Sequence, residues 1–190
     1  MDGLDPLLRL RSAGDIRLVR YHDQSVARRT KPRERLRHAW QHLDLVEVLP
    51  GVPEALTRLR AAGYALIVVT NQPDVARGTQ TKEGVQAIHD YLATLIDVDE
   101  FRVCFHDDAD GCSCRKPKPG LLTAAPAHAL ELSIVVGDRW RDIEAARRAG
   151  CRAAVFVDYE YDEPTRVEAD ARVRSLAEAT DWILKQENET

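Results

Sequence analysis

Three short runs of apolar, largely β-branched residues constrain the fold of this chain more than any other feature. Residues 64–69, 134–136 and 153–157 have the composition of strands that are buried on both faces of a sheet. Segments 81–95 and 141–149 lie between them and carry apolar residues at helical spacing. Strands that alternate with helices of this length form parallel sheets. The sequence therefore predicts an α/β protein with a Rossmann-like, doubly wound parallel sheet and helices on both faces.

The N-terminal part of the chain does not share this pattern. Residues 1–43 contain nine Arg and one Lys against four Asp and one Glu, whereas the whole chain has a net charge of −4. Residues 15–21 have the composition of a strand and residues 32–42 that of a helix, but no clear periodicity continues between them. We therefore divide the chain into an atypical basic segment, 1–45, and one domain, 46–190.

The composition of the 190-residue chain argues against several classes of function. Hydrophobic residues make up 44% and charged residues 31%, which is typical of a soluble domain. The net charge of −4 gives no general reason to bind nucleic acid or an anionic membrane. No apolar run approaches the ~20 residues that span a bilayer, and no secretion signal is recognised. We expect a cytoplasmic monomer.

Polar and charged side chains follow the predicted strands. Thr70 and Asn71 come directly after the strand at 64–69, and Asp138 follows the strand at 134–136. Lys116 stands before a proline, just ahead of a predicted helix. Ligands of parallel sheets bind at the carboxyl ends of the strands, where a hydroxyl and a lysine suit phosphoryl oxygens and a carboxylate suits Mg²⁺. Each residue alone equally fits a helix cap or a solvated turn, but together they indicate a phosphate site.

Four potential metal ligands occur within eleven residues: Cys104, His106, Cys112 and Cys114. Three thiolates and one imidazole make the closed tetrahedral set of a structural Zn²⁺ site, without the open position of a catalytic one. Free cysteines on a strand and a loop are the alternative interpretation. In a reducing compartment such a cluster indicates a metal before disulfides. The fourth cysteine, Cys151, follows a glycine in a buried-strand context and is predicted to be a core residue.

With these motifs the chain resembles the haloacid-dehalogenase superfamily. Residues 68–71 resemble its second motif, Lys116 its third, and residues 137–142 its fourth. Residues 70–78, the cysteine loop and residues 114–117 resemble, more narrowly, the D-glycero-D-manno-heptose 1,7-bisphosphate phosphatases. The histidinol-phosphate phosphatases are close relatives of that group.

The resemblance implies a Mg²⁺-dependent hydrolase that removes phosphate from a sugar bisphosphate through an aspartyl-phosphate intermediate. It implies that Thr70 and Lys116 hold the phosphoryl group and that Asp138 holds Mg²⁺. Zinc in the cysteine loop is expected to fix the loop and so to place Lys116. Contacts with the phosphorylated sugar are expected from Asn71, Gln72, Pro73, Arg77, Arg115 and Arg139.

One part of the family pattern is not found. The implied chemistry needs an aspartate nucleophile and a second aspartate two residues later, after the first strand. Residues 1–45 contain no Asp-x-Asp: Asp15 stands at the beginning of the predicted strand instead of its end, and Asp23 follows the strand with Ser25 at the partner position. Three explanations stay open: a non-catalytic relative, an unusual use of Asp23 or another acid, and a wrong reading frame over about residues 7–41.

Two alternative functions therefore accompany the phosphatase hypothesis. A non-catalytic relative would bind a phosphorylated ligand or a protein partner, and a histidinol-phosphate phosphatase would act on a different substrate. A zinc-loop interaction module with a nucleic-acid-binding arm is a further hypothesis, supported only by the charge of residues 1–43.

Separately, Pro126 is expected to break or kink the helix that begins near Pro119.

Overall fold

A six-stranded sheet forms the centre of the protein. The computed structural model describes residues 15–20, 48–124, 127–160 and 168–188. The strand order is β3-β2-β1-β4-β5-β6. The strands are β1 (Asp15–Arg20), β2 (Tyr64–Asn71), β3 (Glu100–Cys104), β4 (Ser133–Gly137), β5 (Ala153–Val157) and β6 (Ala171–Val173).

Six α-helices connect or flank these strands in the described part of the chain. They are α1 (Val52–Ala61), α2 (Lys82–Leu95), α3 (Gly120–Thr123), α4 (Ala127–Leu130), α5 (Trp140–Ala149) and α6 (Leu176–Asn188). The helix expected from about Pro119 is two short helices, α3 and α4, and Pro126 itself lies outside the described residues. None of the described helices is long and apolar enough to cross a membrane.

The two faces of the sheet support separate cores. Leu66, Ile134 and Val155 pack on one face with α1 and α6, through side chains such as Leu59 and Ile183. Ile67, Val135 and Ala154 pack on the other face with α3, α4 and α5. Neighbouring residues of a strand point to opposite faces, so both faces need apolar residues and the strands become continuous apolar runs. The predicted α/β fold with helices on both faces is confirmed.

The central strand β1 differs from the predicted all-parallel arrangement. It pairs antiparallel with both β2 and β4, whereas β2 is parallel to β3, and β4, β5 and β6 are parallel to one another. Asp15 is opposite Val69, and Ile16 is opposite Val136. The beginning of β1, and not its end, therefore reaches the edge at which β2 and β4 finish.

A buried histidine on α2 is expected to make the protein less stable in acid. His89 is 5% exposed, and its ring stacks on Phe101 with 4.6 Å between ring centroids. Burial lowers the pKa of His89 from its ordinary value of 6.5, an effect that the charge of Asp90 partly opposes. As the pH falls below 6.5, His89 therefore binds a proton more readily in the unfolded chain than in the folded chain. The free energy of unfolding falls as the pH falls.

The variant His89→Phe isolates this effect, because phenylalanine keeps a ring against Phe101 and has no proton to bind. We expect urea unfolding at pH 7.5 and 5.5 to show a smaller loss of stability in this variant than in the wild type. Equal losses in the two proteins would contradict the assignment.

Candidate active site and cysteine–histidine cluster

Three of the predicted site residues lie at the same edge of the sheet. Thr70 is near the end of β2, and Asp138 directly follows β4. Lys116 reaches this edge from the loop after β3, and its Nζ donates a hydrogen bond of 2.9 Å to the carbonyl oxygen of Val69. All three side chains are buried, with 5–7% of their surface exposed. Buried polar groups at the carboxyl edge of parallel strands are the arrangement that a ligand site requires.

A buried ion pair fixes the Lys116 ammonium group. Its Nζ lies 3.0 Å from Oδ1 of Asp142, which is 2% exposed. The other carboxylate oxygen of Asp142 accepts a hydrogen bond of 2.8 Å from the backbone N–H of Arg139. The carboxylate thus joins the lysine to the first turn of α5. Asp142 belongs to the fourth motif, but the sequence assigned it no role of its own.

The amide side chains of Asn71, the last residue of β2, and of Gln72, which follows it, bind neighbouring site residues. Asn71 donates from Nδ2 to the carbonyl oxygen of Lys116 at 3.2 Å and accepts from the Lys116 N–H at 3.1 Å. Gln72 donates from Nε2 to the hydroxyl of Thr70 at 3.1 Å, and its backbone N–H donates to the carbonyl of Cys104 at 2.7 Å. Both amides therefore hold the site together, and their predicted contact with substrate stays a prediction.

The four predicted zinc ligands lie together. The ligand atoms of Cys104, His106, Cys112 and Cys114 are all within 4.8 Å of one another, and the cysteines are free. The three Sγ–Sγ distances are 3.1, 3.5 and 3.8 Å, and Nδ1 of His106 lies 3.3 Å from Sγ of Cys114 and 3.6 Å from Sγ of Cys104. A tetrahedral Zn²⁺ ion with bonds of about 2.3 Å to sulfur separates its ligands by roughly 3.6–3.8 Å. The donor set and its spacing fit that ion.

Burial raises the pKa of the Cys104 thiol to about 12. A thiol in this position stays protonated unless a cation stabilises the thiolate. A metal ion supplies that cation and displaces the proton. The buried thiol is therefore compatible with a metal ligand and poorly suited to be a nucleophile.

The arginines on either side of this cluster form ion pairs with its loop. Arg77 binds Asp107 through two hydrogen bonds of 2.7 and 2.9 Å, and Arg115 binds Asp108 through two of 2.7 and 3.2 Å. Hydrogen bonding to these guanidinium groups holds the pKa of both carboxyls below the usual range. In the structure the two aspartates anchor two predicted substrate-binding residues.

Two other predicted substrate-binding residues, Pro73 and Arg139, directly follow Gln72 and Asp138 in the chain. The carbonyl of Pro73 accepts a hydrogen bond of 3.1 Å from the backbone N–H of Arg77, within the turn that follows β2. Arg139 directly follows Asp138 and precedes α5. Asp23 lies outside the described residues.

The cysteine loop touches the start of α3 so closely that only glycine fits there. A Cβ atom on Gly120 would lie 2.5 Å from the carbonyl oxygen of Ser113 and 3.0 Å from Cα of Cys114. We expect Gly120→Ala to lower the free energy of unfolding by about 1–3 kcal/mol, because backbone has to move. In the matched control Gly84→Ala, the new Cβ meets side chains and no backbone, namely the flexible end of Gln80 and the hydroxyl of Thr81. Urea unfolding tests the pair, and equal destabilisation of both variants would contradict the explanation.

A magnesium site fits the carboxylate at the end of β4. Mg²⁺ is usually held by one or two carboxylates together with water and substrate phosphate. Asp138 is a buried carboxylate at the strand end, whereas Asp142 is engaged by Lys116. Asp138 is therefore the residue of this edge that suits a hydrated, phosphate-bound Mg²⁺.

The comparison with protein families agrees with this geometry. The family of haloacid dehalogenase-like hydrolases matches residues 8–150. The chain belongs to the haloacid dehalogenase-like hydrolase family. The match begins within the basic N-terminal segment, and the boundary that we placed at residues 45 and 46 stays a prediction.

Named relatives narrow the similarity to one group of phosphatases. The D-glycero-beta-D-manno-heptose-1,7-bisphosphate 7-phosphatase of Salmonella typhi is 31% identical over 163 residues, which cover 77% of this chain and 82% of the relative. The D-glycero-alpha-D-manno-heptose-1,7-bisphosphate 7-phosphatase of Mycobacterium bovis is 40% identical over 116 residues, which cover 56% of this chain and 61% of the relative. In the second case, less than two thirds of the relative is matched.

A solved structure supports the same conclusion. The D,D-heptose 1,7-bisphosphate phosphatase from B. bronchiseptica, complexed with magnesium and phosphate, superimposes with a TM-score of 0.64 at 32% identity. The match covers 76% of this chain and 87% of that one. The predicted resemblance to phosphatases of this family is confirmed.

Proposed function

We propose that this chain is a Mg²⁺-dependent phosphomonoester hydrolase that acts on a sugar bisphosphate of the D-glycero-D-manno-heptose 1,7-bisphosphate type. The observation that carries the proposal is the buried Lys116–Asp142 ion pair, at the edge of the sheet where Thr70 and Asp138 also lie. An ammonium group fixed beside a hydroxyl and a carboxylate suits a phosphoryl group. The similarity to the named phosphatases supports the choice of sugar.

Each of these residues has a proposed role in the reaction that follows from the chemistry of its side chain. The Thr70 hydroxyl and the Lys116 ammonium group bind oxygens of the transferred phosphoryl group, and the fixed positive charge stabilises the charge that builds up in the transition state. Mg²⁺ held by Asp138 would neutralise phosphate charge when bound. Asn71 keeps the lysine loop against β2 through its two hydrogen bonds to the Lys116 backbone.

The arginines are proposed to bind the rest of the substrate. Arg77 and Arg115 each carry a guanidinium group that binds an aspartate of the cysteine loop through two hydrogen bonds. A guanidinium group has five N–H donors, so the N–H groups that the aspartate does not use can bind a phosphate group. Arg139, beside Asp138, and residues 71–73 complete the proposed substrate contacts.

The nucleophile is proposed to be Asp15, through an aspartyl-phosphate intermediate. Asp15 occupies the register position opposite Val69, one residue before Thr70 on β2. Because β1 runs against its neighbours, its first residue is the one that reaches the site edge. The placement supports an aspartate of this strand in the role although no Asp-x-Asp motif follows it.

Phosphate release tests the proposal directly. Heptose 1,7-bisphosphate and histidinol phosphate are each incubated with Mg²⁺ and the zinc-loaded protein, with Asp138→Ala as the control. We expect release from the bisphosphate that Asp138→Ala abolishes. Release that survives this substitution would come from a contaminant, and a preference for histidinol phosphate would favour that alternative activity.

A second comparison addresses Asp15. We expect the wild type to yield an acid-labile phosphoenzyme in a rapid quench and Asp15→Asn to yield none, because an amide cannot form the acyl phosphate. A labelled phosphoenzyme in the Asn variant would place the nucleophile elsewhere.

A non-catalytic relative is the second candidate, and the missing Asp-x-Asp motif favours it. It predicts that the bisphosphate raises the melting temperature of a folded, zinc-loaded sample without phosphate release. We further propose that Zn²⁺ in the cysteine loop is structural and that the protein is a cytoplasmic monomer. Size-exclusion chromatography with light scattering tests the oligomeric state.

A further inference from the structure

The chain beyond β5 brings an aromatic residue to the site edge. Gly137 of β4 pairs with Phe156 of β5, so Asp138 is level with Val157. Tyr159 is two residues further along the chain, in the turn that follows β5. It therefore follows β5 at the edge of the sheet where Asp138 follows β4, and a substrate bound there through its phosphate extends beyond this edge.

Tyr159 is one of the exposed large apolar side chains among the described residues. Its side chain is 36% exposed, which is unusual for a large aromatic residue among those the structure describes. Burial, and after it the negative charge of Asp138, raise the pKa of the Tyr159 phenol. A partly exposed ring beside a buried carboxylate is typical of ligand pockets, which combine apolar walls with few polar groups.

Three contacts of Asp158 hold this turn in place. One carboxylate oxygen accepts a hydrogen bond of 2.9 Å from the N–H of Glu160, and the other accepts one of 2.7 Å from Arg172 of β6. The Asp158 N–H donates to the carbonyl of Val173 at 2.7 Å. Glu160 has φ 58°, in the left-handed region that residues with a side chain rarely adopt. Such conformations persist where neighbouring groups impose them, often beside functional sites.

We propose that Tyr159 is a specificity-determining residue that packs its ring against the carbon skeleton of the sugar. This inference rests on the proposed phosphatase function and adds a residue that the motifs do not contain. Thr70, Lys116 and Asp138 recognise phosphate, which every phosphomonoester offers. Tyr159 contacts the part of the substrate that inorganic phosphate lacks.

The test separates sugar from phosphate. The KM for heptose 1,7-bisphosphate and the inhibition constant of inorganic phosphate are measured for the wild type and for Tyr159→Ala. We expect the KM to rise about tenfold, as loss of an aromatic contact worth ~1.4 kcal/mol requires, with the inhibition constant for phosphate unchanged. Tyr159→Phe keeps the ring and is expected to remain within about threefold of the wild type.

Two further variants guard the interpretation. Tyr159→Leu keeps apolar volume without an aromatic face, so it serves if the alanine variant does not fold, and it is also expected to raise the KM. Tyr91→Ala removes a half-buried tyrosine from the second half of α2, far along the helix from the site edge, and should change neither constant. An unchanged KM, or equal loss of sugar and phosphate binding, would overturn the proposal.

If the wild type does not release phosphate, the proposed function fails independently of Tyr159. The bisphosphate is then not consumed, and calorimetric titration with the bisphosphate and with inorganic phosphate makes the same comparison. If Tyr159→Ala binds the bisphosphate tenfold more weakly than the wild type and binds inorganic phosphate equally well, the role of the ring is supported. Equal affinities of wild type and variant for the bisphosphate overturn it.

Discussion

The single substitution Lys116→Met is expected both to abolish phosphate release and to destabilise the folded protein. The Lys116 ammonium group is the fixed positive charge of the site, and loss of one such group typically costs about 10²–10³ in kcat. Methionine also leaves the carboxylate of Asp142 buried, 2% exposed, without the cation that lies 3.0 Å from it. Breaking a buried ion pair from one side costs about 3–5 kcal/mol of unfolding free energy.

The double variant Lys116→Met/Asp142→Asn separates these two effects. Asparagine removes the buried charge and can still accept the hydrogen bond from the Arg139 N–H, so most of the stability should return. Phosphate release should not return, because no cation faces the substrate. Initial rates and urea unfolding followed by tryptophan fluorescence measure both quantities. A double variant as unstable as Lys116→Met would show that the unpaired charge is not the cause.

Loss of the metal is expected to have the second large effect. Structural zinc contributes about 10–16 kcal/mol of apparent binding free energy in small zinc-binding peptides. If about 5 kcal/mol of this binding free energy contributes to the free energy of unfolding, Cys112→Ser should lower the melting temperature by roughly 10–20 °C. The same loop carries Lys116 to the edge of the sheet, so phosphate release should be lost together with the zinc.

Cys151→Ser is the matched control, because Cys151 forms no disulfide and lies outside the cluster. It should keep both the zinc content, measured by plasma emission, and the melting temperature close to those of the wild type. Chelation of the wild type should reproduce the Cys112→Ser result. A demetallated wild type that melts at the same temperature as the zinc-loaded protein would disprove the structural role.

The sequence predicted those features that depend on local spacing. The buried strands were recognisable because burial on both faces needs continuous apolar runs, as in β4 and β5. The metal cluster was recognisable because four ligands lie within eleven residues and meet whenever the loop turns back.

Other features depend on contacts between distant segments. The direction of β1 was not predictable, since apolar residues in a strand have the same pattern in either direction. Asp142 looked like an ordinary acid in the first turn of a helix, and only the fold places it against Lys116. Tyr159 follows a strand without any motif, so its position beside Asp138 required the register of β4 and β5. The pairing of Arg77 with Asp107 is likewise a contact across the loops.

The reversed central strand has a consequence for how the protein assembles during synthesis. Leu18 of β1 pairs with Leu66 of β2 and with Ile134 of β4. Of the described strands, β1 is translated first, and it can pair only after its two partner strands have been translated. Within the described sheet, β1 joins the pair β2–β3 to the group β4–β6. Such non-local pairing is slow because loop entropy is lost before contacts form. We therefore expect the sheet to close last at its middle, after most of the chain has left the ribosome.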